Sequence, residues 1–184
     1  MEHLGTIELE TKRLILRRFI MEDAERVFNN WANDDEVTKY LVWPSHSDIN
    51  VTKNVLEQWI QNYEKNDFYQ WAIEIKEIKE PVGSISVVNQ LDDIKMVHIG
   101  YCIGKKWWNK GITSEALSVL IKFFFEKVGV NRIEARHDPN NQNSGKVMTR
   151  CGMKYEGLLR QADRNNQGIV DTIYYGIVAE DYFK

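Results

Sequence analysis

The stretch Gly100-Tyr101-Cys102-Ile103-Gly104-Lys105-Lys106-Trp107-Trp108-Asn109-Lys110-Gly111-Ile112-Thr113-Ser114-Glu115-Ala116 leads from a strand-like segment through a basic, glycine-containing loop into a long amphipathic run. In that run Leu117, Leu120, Ile121, Phe124, Phe125 and Val128 share one face of a 3.6-residue period that stops at Gly129, which predicts a helix closed by glycine. A helix start leaves its first N–H groups unpartnered and carries the positive end of the dipole, so this junction suits an anion, a phosphate above all. Gly111 would let a ligand approach the backbone, and Lys105, Lys106 and Lys110 are close enough in sequence to offset its charge. A plain strand–turn–helix with surface lysines is the competing reading. Two nucleotide loops fail on spacing: Gly104 to Gly111 is not the Walker interval, no Lys-Ser or Lys-Thr follows Gly111, and G-x-G-x-x-G is absent.

Outward from this junction the chain alternates between periods. Upstream, residues 13–19 read as a first strand, followed by an acidic helix start at Met21-Glu22-Asp23 and one helical face carrying Ala24, Val27, Phe28 and Trp31. A second helix carries Val55, Leu56, Trp59, Ile60 and Tyr63. Residues 69–76, 82–89 and 95–103 are three strand-like runs separated by turns short enough to make antiparallel neighbours. Downstream, 132–136 reads as a strand, 144–151 as a short helix closed by Gly152, and 155–160 and 169–178 as two last strands. Strands and helices in both halves, with a β–helix–β passage in the middle, give a mixed α/β (α+β) sheet.

The chain has 184 residues with no internal repeat or linker, so residues 1–184 are read as a single domain. A net charge of −3 and a pI near 5.9 argue against bulk capture of nucleic acid. The N-terminus lacks a signal-peptide pattern and no window is apolar enough to span a membrane, so a cytoplasmic protein with no membrane partner is expected. Cys102 and Cys151 stand alone, with no ligand spacing for zinc, so no metal is expected. The six Trp, eight Tyr and seven Phe read first as core.

Taken together with the segments on either side of it, the central stretch resembles the GCN5-related N-acetyltransferase (GNAT) superfamily, in its ribosomal-protein N-terminal (Rim-type) form. The family's pyrophosphate loop, [RQ]-x-x-G-x-[GA], has its register at Trp108-Asn109-Lys110-Gly111-Ile112-Thr113, with Thr113 in place of the usual Gly or Ala. Residues 10–17 are similar to the opening strand, and Asn141-Gln142-Asn143-Ser144 with Cys151-Gly152-Met153 to the N-x-x-S and G-F segments, Met153 standing where Phe is usual. Gly168, Asp171 and Tyr175 match the closing strand. The resemblance implies a central, mostly antiparallel twisted sheet of about six to seven strands, splayed between the fourth and fifth and flanked by about four helices.

It also implies transfer of acetyl from acetyl-CoA to a primary amine, on a protein N-terminus or a small molecule, by direct attack. The implied cofactor contacts are Tyr101, Cys102, Ile103, Trp108, Asn109, Lys110, Gly111, Ile112, Thr113, Ser114, Asn141 and Ser144. Such a reaction needs a neutral amine, a polarised carbonyl and a protonated leaving thiol. Ser144 resembles the family serine near the cofactor sulfur, although a serine beside a helix start is also an ordinary cap. Asn141 resembles the residue that bonds the pantetheine arm or an active-site water. His98 stands where relatives usually carry Glu; an imidazole is a base near neutral pH, and the competing reading is a simple sheet residue. Cys102 has no local base partner, so an acyl-cysteine route is disfavoured. Trp43, Tyr40 and Asp171 are acceptor-groove candidates, with loops at 41–50 and 163–168 forming the groove. Relatives often dimerise, so a homodimer is among the expected partners. The alternative function is an acyl-CoA sensor that has lost catalysis.

Overall fold

A computed structural model describes residues 1–184. Eight strands are present, with buried positions alternating most clearly in the second and sixth: β1 (Leu9–Glu10), β2 (Leu14–Arg17), β3 (Gln70–Ile75), β4 (Glu80–Leu91), β5 (Met96–Ile103), β6 (Arg132–His137), β7 (Lys154–Asn165) and β8 (Gly168–Val178). They form one open sheet in the order β1-β2-β3-β4-β5-β6-β8-β7. Every pairing is antiparallel except β5 with β6. That parallel pair requires a crossover, and the helix predicted after Gly111 supplies it.

The six α-helices are α1 (Ala24–Val27), α2 (Asp35–Thr38), α3 (Ile49–Asn62), α4 (Ile112–Phe123), α5 (Gln142–Arg150) and α6 (Ala179–Tyr182). Both counts exceed the sequence expectation, because β1, α2 and α6 span two to four residues and are held by tertiary contacts rather than by a readable period. The predicted first helix is a 3-10 turn, α1 and a π segment in succession, and still buries Ala24, Val27 and Trp31. Residues 163–165, read as loop, belong to β7 and pair with Gly168, Ile169 and Val170 of β8.

The core lies on both faces of the sheet. On one, α4 packs Ala116, Leu117, Leu120 and Ile121 against Leu16, Ile73, Ile85, Val97 and Ile99. Truncating a fully buried leucine such as Leu117 costs about 2–5 kcal/mol. On the other, Phe19, Ala24, Val27, Trp31 and Leu56 cover Ala72.

The splay expected between the fourth and fifth strands lies between β5 and β6, the fourth and fifth strands read from the sequence once the additional two-residue β1 is discounted. β5 and β6 pair only through Met96–Arg132, Val97–Ile133 and His98–Glu134. Beyond His98 the strands diverge, and residues 99–103 face an open fork whose far side is closed by α5. No helix is long and apolar enough to cross a membrane.

Candidate active site

Gly104 and Gly111 bracket the loop from β5 to α4. A side chain at Gly104 would sit 2.2 Å from the Asn30 carbonyl oxygen and 2.8 Å from the Trp107 ring, so only glycine lets the loop turn beneath α1 and the π segment. Gly111 caps α4 with φ +73° and follows Asn109, itself at φ +60°; asparagine tolerates this left-handed region and glycine adopts it freely. No side chain caps α4, which leaves the N–H groups of Ile112, Thr113 and Ser114, residues that line the cleft above the loop, without partners. The Ser114 hydroxyl is buried there without a hydrogen-bond partner. Together they form an unfilled set of donors suited to phosphate oxygens.

The loop is fastened from the turn between β1 and β2. Arg13 donates through Nη1 to the Lys110 carbonyl at 3.0 Å and through Nε to Glu115 at 2.6 Å, while Thr11 donates to the same carboxylate at 2.5 Å. Burial pushes the Glu115 pKa up, but these bonds outweigh it and hold the carboxyl below its ordinary value.

Above the loop lies a cleft of about 540 Å³, lined from β5 by Tyr101, Cys102 and Ile103, from the loop and α4 by Trp107, Trp108, Asn109, Gly111, Ile112, Thr113 and Ser114, and from α5 and its lead-in by Asn140 to Ser144, Lys146, Val147 and Arg150. Glu36, Val37, Tyr40 and Leu41 close it from the N-terminal helices. All the expected cofactor contacts line this cleft except Lys110. Of the three loop lysines, Lys105 is paired to Glu36 at 2.5 Å and Lys106 lies over the Trp107 ring. The cations that do line the cleft are Lys146 and Arg150, one helical turn apart on α5. Sequence reading missed them, although their i, i+4 spacing behind Gln142 put all three on one face.

Asn141 is the N-cap residue of α5, so Ser144 is freed from capping. The Ser144 hydroxyl lies 3.0 Å from the Tyr101 hydroxyl, which also donates to the Ser144 carbonyl at 3.0 Å. Burial pushes the Tyr101 phenol well above its ordinary value, keeping it protonated and able to donate. The Cys102 thiol is likewise pushed up by burial, which removes the thiolate a nucleophile needs.

His98, Trp43 and Asp171 do not line the cleft. His98 is buried at the point where the fork closes, with Nδ1 3.4 Å from Glu134 Oε1 and its ring edge-on to Tyr174. Trp43 meets the His46 ring at a tilt of 43° and packs against the N-terminal cluster. Asp171 accepts from the Gln161 backbone N–H at 2.8 Å, at the irregularity in β7 between Leu159 and Asp163. Only Tyr40 of the three groove candidates reaches the cleft. No group of three His, Cys, Asp or Glu side chains is arranged to hold a metal ion.

A family model described as an acetyltransferase (GNAT) domain matches residues 13–154. The uncharacterised N-acetyltransferase YoaA of Bacillus subtilis is 32% identical over 170 residues, covering 92% of this chain and 96% of that protein. The [ribosomal protein uS5]-alanine N-acetyltransferase of Escherichia coli is 26% identical over 160 residues, covering 84% and 81%. Among solved structures, the Microcin C7 self-immunity acetyltransferase MccE, in complex with acetyl-CoA and AMP, shares the fold at a TM-score of 0.82 and 23% identity, covering 91% of this chain and 93% of that one.

Proposed function

The chain belongs to the GNAT acetyltransferase family, and from that premise we propose that it moves the acetyl group of acetyl-CoA to a primary amine, a peptide N-terminus or a small amine, by direct attack on the thioester. The observation that carries this reading is the Tyr101–Ser144 hydroxyl pair, 3.0 Å apart, in the same cleft as the uncapped start of α4. When bound, acetyl-CoA supplies the thioester carbonyl and the leaving thiol. The N–H groups at the start of α4 and the unpartnered Ser114 hydroxyl fit its pyrophosphate, and Lys146 and Arg150 add positive charge. The exposed backbone edge of β5 beyond His98 is free to pair with an extended pantetheine arm. Ser144 and Tyr101 hold a proton ready for the departing sulfur.

The amine must lose a proton. An α-amine costs about 1 kcal/mol to deprotonate at pH 7, against about 5 kcal/mol for a lysine, so an α-amine needs only a modest base. His98, backed by Glu134 at the closed end of the fork, is the proposed base, reached through water because its side chain is not on the cleft wall. Asn141 is proposed to bond the arm or that water. Calorimetry with acetyl-CoA, together with mass spectrometry of a panel of N-terminal peptides and small amines, tests the reading. Bound acetyl-CoA with a product one acetyl heavier supports it; no product across the panel favours the acyl-CoA sensor.

A further inference from the structure

The hairpin joining β7 to β8 turns at Asn165-Asn166-Gln167, and its two asparagines reach in opposite directions. Asn165, buried, donates through Nδ2 to Asp138 Oδ2 at 3.2 Å. The other oxygen of Asp138 accepts from the backbone and side-chain nitrogens of Asn140 at 2.9 and 3.0 Å, and its carbonyl accepts from the Asn141 N–H at 2.8 Å. Asp138 therefore sets the turn that delivers Asn140, Asn141 and Ser144 to one lip of the cleft.

Asn166 reaches the opposite lip. Its side-chain Nδ2 lies 2.7, 3.0 and 3.1 Å from the carbonyl oxygens of Thr38, Leu41 and Trp43, and its backbone N–H donates to Leu41 at 2.9 Å. Gln167 adds a longer bond to the Lys39 carbonyl. The segment between α2 and α3 has no regular structure of its own, yet it places Tyr40 and Leu41 on the cleft wall. Carbonyls at the end of so short a helix need outside donors, and here one amide supplies several of them.

We infer that Asn165 and Asn166 are positioning residues that fix the separation of the two lips, Asn165 acting through Asp138 on the cofactor-side turn and Asn166 through residues 38–43 on the acceptor side. Neither lines the cleft. The inference rests on the acetyl-transfer reading of that cleft for its kinetic consequences, but the tie itself is independent of it. Because Asn166 is exposed, its loss exchanges protein donors for water at little cost in stability, while leaving the acceptor lip free to move.

The test uses the full chain with Asn166→Ala, the near-isosteric Asn166→Asp, which has no side-chain N–H to donate, and Asn165→Ala. Acetyl-CoA affinity is read by calorimetry, kcat and KM by thiol release with the best peptide acceptor of the wild type, and backbone order by hydrogen exchange. Both Asn166 variants are expected to raise acceptor KM about fivefold or more while holding acetyl-CoA affinity within about twofold, and to speed exchange within residues 38–43. Asn165→Ala is expected to weaken acetyl-CoA binding and lower kcat. Wild-type exchange and KM in Asn166→Ala, or an Asn166→Asp variant that behaves as wild type, would overturn the inference. So would a uniform loss of every parameter with a lowered melting temperature. A wild type that does not bind acetyl-CoA instead sinks the acetyl-transfer reading, and the exchange comparison then decides the tie alone.

Discussion

The Tyr101 and Ser144 hydroxyls meet 3.0 Å apart and join β5 to the start of α5 across the open fork of the sheet. The two residues are 43 positions apart in sequence, and burial keeps the phenol protonated. Both residues line the cleft, where the pair is proposed to hand a proton to the departing sulfur. Tyr101→Phe and Ser144→Ala are each expected to lower kcat by roughly 10²-fold, the low end for a lost proton donor. The double variant should lose little more than either single, because the two act as a unit. Additive losses in steady-state kinetics would show two independent roles.

At the start of α4 the backbone N–H groups are the proposed binding group. Gly111→Ala imposes about 1–2 kcal/mol of left-handed strain on the turn that presents them, while its methyl group meets only Arg13 Nη2 at 3.6 Å, so acetyl-CoA affinity should fall about tenfold in calorimetry through the distorted turn. Gly111→Asn tests that cause, since asparagine tolerates the conformation. It should bind and melt closer to wild type than the alanine variant does.

Direct transfer leaves no acyl-enzyme. With the Cys102 thiol pushed up by burial and hydrogen-bonded only to Ser84, intact-protein mass after incubation with acetyl-CoA should be unchanged. A stable acetyl adduct on Cys102 would require a two-step route instead.

Acid should destabilise the fold through a small set of carboxylates. The His98 hydrogen bond, followed by Arg132, outweighs burial and holds Glu134 below its ordinary value. Arg132 does the same for Glu156, and Thr11 and Arg13 for Glu115. A depressed folded-state pKa adds stability above the unfolded carboxylate value, near 4.3, that is lost as pH falls through the folded one. Denaturant melts should therefore show no loss from these groups between about pH 5 and 7 and a steep loss below about 4. Glu115→Gln, which cannot hold Arg13 as a charge partner, should be less stable at neutral pH and show a shallower acid limb.

Much of the fold is legible along the chain. The α4 stripe, its stop at Gly129 and the strands on either side show themselves because a long helix or strand repeats its contacts and leaves a period. The short elements leave none: β1 and α6 are two and four residues long and exist because neighbours satisfy them. The charge partners are hidden for a related reason. Lys105 and Lys110 adjoin the phosphate loop in sequence, but side-chain direction turns one to Glu36 and leaves the other off the cleft, while Lys146 and Arg150 arrive from a different helix. The partners of two other candidates are hidden in the same way: the sheet sets His98 beside Glu134 and Asp171 beside the bulge in β7.

By itself, then, the sequence determined the layer architecture, the uncapped, glycine-led start of α4 and the set of residues eligible for the site, since each depends on neighbours within a turn or two. Only the tertiary structure decided which of them meet. Tyr101 with Ser144, Arg13 with Glu115, and Asn166 with the carbonyls of residues 38–43 are separated by 43, 102 and up to 128 positions. Contacts at such separation are set by strand order and by where β5 and β6 part, and no local pattern encodes either.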